Sequence, residues 1–172
     1  MTFSEMLENT LKHEGGYSDK EKDRGRETKY GITKKTLSVY LGREITSDTV
    51  KNLTLDMAKE IYKKLYYEAP RINMLPEAVQ PIIFDAGVNM GTVSAIRLAQ
   101  KVFTKMGTPI TCDGVIGPKT LVSAKTALNV YNYDVIIALV NARINFYETL
   151  VIHDPEQKDY LKGWTIRARS YL

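Results

Sequence analysis

Glu14, Asp23 and Thr28 fall nine and then five positions apart in the stretch KHEGGYSDKEKDRGRETKYGIT, residues 12–33. Two carboxyl groups and a hydroxyl are what hydrolysis of a glycosidic bond requires. One acid protonates the leaving oxygen. The second carboxylate handles a water or stabilises the oxocarbenium-like transition state, and a hydroxyl can position that water. Glu14 stands where a helical pattern meets Gly15–Gly16. A carboxyl at a helix C-terminus faces the negative end of the dipole, so its proton is held more tightly. Apolar neighbours would raise its pKa further, as a general acid near neutral pH needs. The spacing alone fits a solvated charged loop better, because Glu and Asp are common residues.

The elements that must hold these groups are mostly helical. Phe3, Met6, Leu7, Thr10 and Leu11 recur at helical spacing, which predicts a first helix from about Thr2 to His13, ended by Gly15–Gly16. From Tyr17 to Thr33 no helical period survives, and TKYGIT sets β-prone residues around a glycine, so a small irregular β-hairpin is expected. TKKTLSVYLG reads as a short helix stopped by Gly42, and SDTVKNL as another capped by Ser47 or Asp48. LTLDMAKEIYKKLYYEAP predicts one helix from a Thr54 cap to Pro70, with Leu55, Ala58, Ile61 or Tyr62, and Leu65 on one face.

LPEAVQPIIFDAGVNMG starts near Pro76 and ends at Gly91, with Pro81 able to kink or split it. TVSAIRLAQKVFTKMG is amphipathic through Val93, Ile96, Ala99, Val102, Phe103 and Met106. Pro118 opens a helix to about Ala127 after a turn-rich loop. YDVIIALVNARINFYETLVI has an apolar face through Ile136, Leu139, Val140, Arg143, Ile144, Tyr147 and Leu150, and DPEQKDYLKGWTIRARSYL supplies the last helix.

The totals set bounds. A chain of 172 residues, 44% hydrophobic and 26% charged, has the size of one domain or one domain with a sub-lobe and the means to build a real core. The net charge of +4 and a pI near 9.0 suit an acidic polymer, or serve solubility alone. The single Cys112 admits no internal disulfide. MTFSEMLENTLKHE lacks a basic segment followed by an apolar run, so it does not read as a secretory signal. No stretch contains the ~18 consecutive apolar residues of a membrane span.

HEGGYSDKEKDRGRETKYGIT resembles the opening motif of phage-type endolysins of glycoside hydrolase family 108: Glu-Gly-Gly-Tyr, then Asp-x-Gly-Gly-x-Thr, then a Tyr-Gly-Ile-Thr-like end. It also looks like the Glu-x8-Asp-x4/5-Thr triad of related phage lysozymes. AKEIYKKLYYE, IIFDAGVNMG, CDGVIGPKT, ARINFYETL and KGWTIRAR follow in the family's order, so the resemblance covers nearly the whole chain. The Asp-Gly-x-x-Gly-Pro-x-Thr element is typical of the family's C-terminal half, often described as peptidoglycan-binding.

The resemblance implies a mainly α (α+β), lysozyme-like fold, a helical bundle with a small β-hairpin near the N-terminus. It implies a catalytic lobe over 1–92 and a helical, peptidoglycan-binding-like lobe over 93–172, packed as one compact unit. The implied activity is muramidase cleavage of the β-1,4 bond between N-acetylmuramic acid and N-acetylglucosamine, for host cell lysis. Glu14 matches the family's catalytic glutamate, and Asp23 and Thr28 match the Asp and Thr that follow. Where the family has Asp-Pro-Gly-Gly, this chain has Asp23-Arg24-Gly25-Arg26, which changes the turn and adds positive charge beside the cleft. A non-catalytic peptidoglycan-binding module and a lytic transglycosylase are the alternatives.

Other residues carry two readings each. Tyr17 and Tyr30 flank the acids and can stack on sugar rings or pack the hairpin. Asp85 and Asn89 are four apart on one helix face; the family match favours Asn89 as a substrate contact, with Asp85 equally suited to a structural role. Trp164, the single tryptophan, can line a sugar groove or sit in the core. Arg167 can lie near Glu14, bind the wall, or belong to a solvated basic face running from Lys158 to Leu172. That segment is the expected contact to anionic wall or outer-membrane groups. Arg143, inside an apolar face, is expected to pair with an acid in the interior.

His13 beside Glu14 lacks the second histidine of a zinc helix, since position 17 is tyrosine; neither a metal nor a cofactor is expected. DGVIGPKT is no phosphate loop and reads as a structural turn with a possible wall contact. The basic residues are scattered, so nucleic acid is not expected as a partner. A monomer is expected, held in the host bacterial cytoplasm without a signal peptide and reaching the cell wall at lysis through a holin.

Overall fold

Thr2 starts the first helix, α1 (Phe3–Leu11), with a capping box. Its side chain accepts from the Glu5 N–H, and the Glu5 carboxylate accepts from the Thr2 N–H at 2.7 Å. Such a cap stabilises a helix by about 1 kcal/mol. The computed structural model describes residues 1–12, 18–19 and 27–172, with the backbone alone at Ser18 and Asp19. These residues form two compact units, Met1–Ala69 and Pro70–Leu172.

In the first unit, strands β1 (Ser18–Asp19), β2 (Glu27–Lys29) and β3 (Ile32–Thr33) form an antiparallel sheet in chain order. Thr28 lies opposite Ser18 on one side and Thr33 on the other. The TKYGIT segment is thus a hairpin of its own. Its two-residue connection, Tyr30-Gly31, has φ of 52° and 74°. Positive φ at both positions is what the tight hairpin turn requires. It suits Gly31 and strains Tyr30. The Tyr62 hydroxyl donates to the Tyr30 carbonyl at 2.8 Å and helps hold the turn.

Helix α2 (Lys34–Leu41) is capped by Thr33, which accepts from the Thr36 N–H at 3.0 Å, and stops at Gly42 with φ 65°. Helix α3 (Ser47–Lys51) begins after Thr46 with no side-chain cap, so neither Ser47 nor Asp48 caps it. Asp48 instead sits in its first turn, where a negative charge complements the helix dipole. Helix α4 (Leu55–Ile61) keeps its Thr54 cap.

The expected single helix to Pro70 does not form. From Tyr62 to Glu68 the chain winds as a π-helix, and the Ala69 N–H reaches back to Lys64 O at 2.9 Å. Ile61 and Tyr62 are both fully buried, while Leu55 at the helix start is exposed. Met6, Leu7, Ile32, Leu37, Val50 and Leu53 fill the rest of this core.

The second unit is helical. Pro81 splits the predicted 76–91 segment: a 3-10 turn, Glu77–Val79, precedes helix α5 (Gln80–Met90), and Pro81 falls in the first turn of α5, where its missing N–H costs nothing. Then come α6 (Thr92–Met106), α7 (Pro118–Tyr131), α8 (Asp134–His153) and α9 (Lys158–Arg169). Helix α8 packs against α5, α6, α7 and α9. By length and composition it could cross a membrane, yet its face from Ile136 to Tyr147 is the centre of this core and includes the fully buried Arg143. On α6, Ile96, Ala99, Val102 and Phe103 are buried, but Val93 at the first turn is half exposed.

The CDGVIGPKT loop is tied down chiefly by Gln100. Gln100 Oε1 accepts from the Gly114 N–H at 2.8 Å, while Gln100 Nε2 donates to Asp113 Oδ1, to the Val115 carbonyl and to Thr120. Asp113 also accepts from the Val115 N–H at 2.8 Å. The Gln100 hydrogen bond, then that N–H, hold its carboxyl below the usual value. Gly114 has φ 85°, and a Cβ there would meet Val93 Cγ1 at 2.8 Å. The motif's Asp and first Gly are therefore explained by the turn they build.

Candidate functional site

Helix α5 places Asp85 and Asn89 one turn apart, and α8 places Arg143 and Tyr147 in the same relation. The two pairs meet. Asp85 is fully buried and receives Arg143 Nη2 at 2.7 Å. From α9, Arg167 donates to it through Nε at 3.0 Å and Nη2 at 2.8 Å. Burial pushes the Asp85 carboxyl up, but the hydrogen bonds and charges of Arg167 and Arg143 outweigh it and hold it below the carboxylate range. Two guanidinium groups thus face one carboxylate, and Arg143 Nη1 is buried with no partner among the described residues. Arg167 is buried, so the exposed basic residues of α9 are Lys158, Lys162 and Arg169.

The other donors of Arg143 orient a second group. Its Nε donates to the Tyr147 hydroxyl at 2.7 Å. Arginine cannot accept, so the Tyr147 proton goes to Asn89 Oδ1 at 2.6 Å. Burial pushes the Tyr147 hydroxyl pKa up, against the pull of Arg143, which keeps it protonated as the donor. Asn89 is half-buried. With its oxygen turned to Tyr147, it presents its NH₂ as a fixed hydrogen-bond donor.

An aromatic stack grows from the same tyrosine. Tyr147 lies against Trp164 at 5.1 Å and 29°, and Trp164 against Tyr160 at 5.7 Å and 22°. Tyr147 is buried, Trp164 half-buried and Tyr160 59% exposed, so the stack runs from the core to the surface. Of the substrate-binding residues expected from sequence, Asn89 and Trp164 are therefore joined through Tyr147. Trp164 is neither a pure core residue nor a free surface one.

In the first unit, Thr28 is half-buried in the central strand β2, and Tyr30 occupies the positive-φ turn that follows it. Lys29 Nζ lies 5.5 Å from the Tyr30 ring centroid. Glu14, Asp23, Tyr17 and His13 lie outside the described residues. Among the described residues no three His, Cys, Asp or Glu side chains group as metal ligands. Tyr147 and Tyr160 were not singled out as site residues from the sequence. The available signal was their spacing, Tyr147 one turn after Arg143 and Tyr160 one turn before Trp164.

The glycosyl hydrolase 108 family matches residues 7–91, and a predicted peptidoglycan domain matches residues 94–169. A solved structure, that of SagA from Brucella abortus, is 31% identical, covering 98% of this chain and 90% of that one, with a TM-score of 0.82. The chain belongs to glycosyl hydrolase family 108.

This glycosyl hydrolase is a glycosidase whose partner is peptidoglycan, which makes it a peptidoglycan-degrading enzyme. Its mainly helical fold with a small antiparallel sheet near the N-terminus is lysozyme-like. None of the curated proteins compared matches it. The two family matches meet between residues 91 and 94, whereas packing divides the chain after Ala69. The reason is α5, whose Asp85 and Asn89 are bound to α8 and α9.

Proposed function

We propose that this glycosyl hydrolase is an N-acetylmuramidase of the phage endolysin type, cutting the β-1,4 bond between N-acetylmuramic acid and N-acetylglucosamine. The observation that carries this reading is the match of residues 7–91 to the glycosyl hydrolase 108 family, since that span holds Glu14, Asp23 and Thr28 together. Glu14 protonates the leaving oxygen. Helix α1 ends at Leu11 with Lys12 as its C-cap, two residues before Glu14 in sequence; a carboxyl group held at that end would keep its proton more tightly. Asp23 and Thr28 hold the attacking water or stabilise the transition state.

Asn89 offers a fixed N–H donor to a sugar oxygen, and the face of Trp164 with Tyr160 offers stacking surface. Tyr17 and Tyr30 add aromatic contacts beside the acids. Residues 1–92 act as the catalytic lobe and 93–172 as the wall-binding lobe of a monomer that waits in the host cytoplasm for a holin. The exposed Lys158, Lys162 and Arg169 favour encounter with the anionic wall.

The test is Glu14→Gln. The variant folds with an unchanged circular dichroism spectrum and no longer clears purified cell walls. Full clearing by this variant removes Glu14 from the mechanism. Mass spectrometry of the products made by the parent enzyme shows reducing muramic ends; anhydro ends would assign a lytic transglycosylase instead.

A further inference from the structure

A recess lies between α6 and α8, with a volume of about 470 Å³ and with neither Asn89 nor Trp164 in its lining. Arg97, Lys101 and Lys105 line it from α6. They are four residues apart, which spaces their Cα atoms by about 6 Å along the helix. All three are exposed, and Arg97 is steadied by donating to the Asp113 carbonyl at 3.3 Å. The floor is apolar: Leu98 and Phe146 are half-buried there and Val102 is buried. From α8, Asn145 adds an exposed amide. No acid lines the recess among the described residues.

A row of cations along a concave apolar strip is not the surface that a neutral sugar chain selects. Sugars take aromatic faces and paired hydrogen-bond groups, which the Tyr160–Trp164 stack and Asn89 supply elsewhere. Carboxylates carried on a short aliphatic backbone match it better: the charges meet the lysines and the methyl and methylene groups meet Leu98, Val102 and Phe146. Within the reading that the substrate is peptidoglycan, the part of that polymer with this chemistry is its peptide stem, which bears free carboxylates on small aliphatic residues.

We infer that the α6–α8 groove is a binding site for the acidic peptide stems of peptidoglycan. It holds the wall by its peptides while the glycan is cut. The inference rests on the proposed substrate, and its test separates the two. The probe is the stem tripeptide L-alanyl-γ-D-glutamyl-diaminopimelate, titrated into the full chain and followed by nuclear magnetic resonance. Resonances of Lys101, Lys105 and Phe146 are expected to shift. Lys101→Glu with Lys105→Glu, both exposed helix positions, weakens the tripeptide at least tenfold with the fold unchanged. Amidating the probe's carboxylates or raising the salt does the same.

Unchanged affinity in the double variant overturns the inference, as do no saturable binding at millimolar tripeptide or shifts confined to other surfaces. Tighter binding of a thymidine oligonucleotide at equal ionic strength also overturns it and reassigns the groove to nucleic acid. Turnover of peptide-free glycan strands is measured alongside. Turnover without tripeptide binding removes the groove and keeps the muramidase; tripeptide binding without turnover of any wall preparation does the reverse.

Discussion

Arg167 clasps Asp85 through both Nε and Nη2, at 3.0 and 2.8 Å, across 82 positions of sequence. Arg143 completes the pair from a third helix. This one carboxylate therefore joins α5, α8 and α9, and through Tyr147 it also sets the orientation of Asn89.

Asp85→Asn removes the carboxylate that two buried guanidinium groups share. Breaking a buried pair in this way costs about 3–5 kcal/mol. A urea titration followed by circular dichroism measures the loss. A change under 1 kcal/mol would show that the cluster does not hold the helices together.

The same carboxylate makes stability depend on pH. Its folded pKa lies below the unfolded value of about 3.9. Its contribution is therefore complete above that value and declines as pH falls through the lowered folded pKa. Unfolding midpoints taken from pH 7 down to pH 2 should fall more steeply for the parent than for Asp85→Asn. Parallel curves would remove Asp85 from the acid transition.

Tyr147→Phe removes one hydroxyl and leaves the ring against Trp164. It strands Arg143 Nε and frees Asn89 to rotate, for a stability cost of about 1–3 kcal/mol. Asn89→Ala is expected to raise KM for glycan and, by leaving the buried Tyr147 hydroxyl without its acceptor, to cost about 1–3 kcal/mol of stability. An unaltered KM in both variants places Asn89 outside the substrate site.

Trp164 is the single tryptophan, so its fluorescence reports on the stack directly. Titration with a chitin oligosaccharide should change that emission. Tyr160→Ala should weaken the oligosaccharide by about 3–10-fold, in line with about 0.5–1.5 kcal/mol for one aromatic contact. Stability should fall by no more than the Tyr160–Trp164 contact itself, about 0.5–1.5 kcal/mol. Equal affinity in parent and variant would make the outer ring ornamental to binding.

Two glycines should respond in opposite senses. At Gly114, φ of 85° and the close Val93 Cγ1 make alanine costly, by about 1–3 kcal/mol. Gly163 lies within α9 with nothing near its missing Cβ, so Gly163→Ala should stabilise by about 0.5–1 kcal/mol. Thermal melting of the two variants gives the signs, and a drop in Tm for Gly163→Ala would contradict the α9 geometry.

Local signals carried much of this fold. The Thr2, Thr33 and Thr54 caps and the Gly42 stop are short-range hydrogen-bond and backbone effects, written in four or five consecutive residues. The apolar face of α8 followed from periodicity alone, and a pairing acid for Arg143 was expected because a guanidinium on that face has no other way to be buried. The π-helix from Tyr62 to Glu68 escaped the pattern: its i→i+5 hydrogen bonding shifts the faces after Tyr62, a change that the 3.6-residue period does not foresee.

Residue types and spacing offered the chemistry proposed for Glu14, Asp23 and Thr28, a helical chain around a small sheet, and a family resemblance spread over spaced motifs. Side-chain partners came from helix packing. That Arg167 belongs to Asp85 rather than to a solvated basic face, and that the Asn89 oxygen accepts from Tyr147, are facts about side chains 58 to 82 positions apart, and Trp164 finds its inner stacking partner, Tyr147, on a different helix. Local propensity acts over a single turn, whereas burial of a charge is settled only when distant helices pack and exclude water from it.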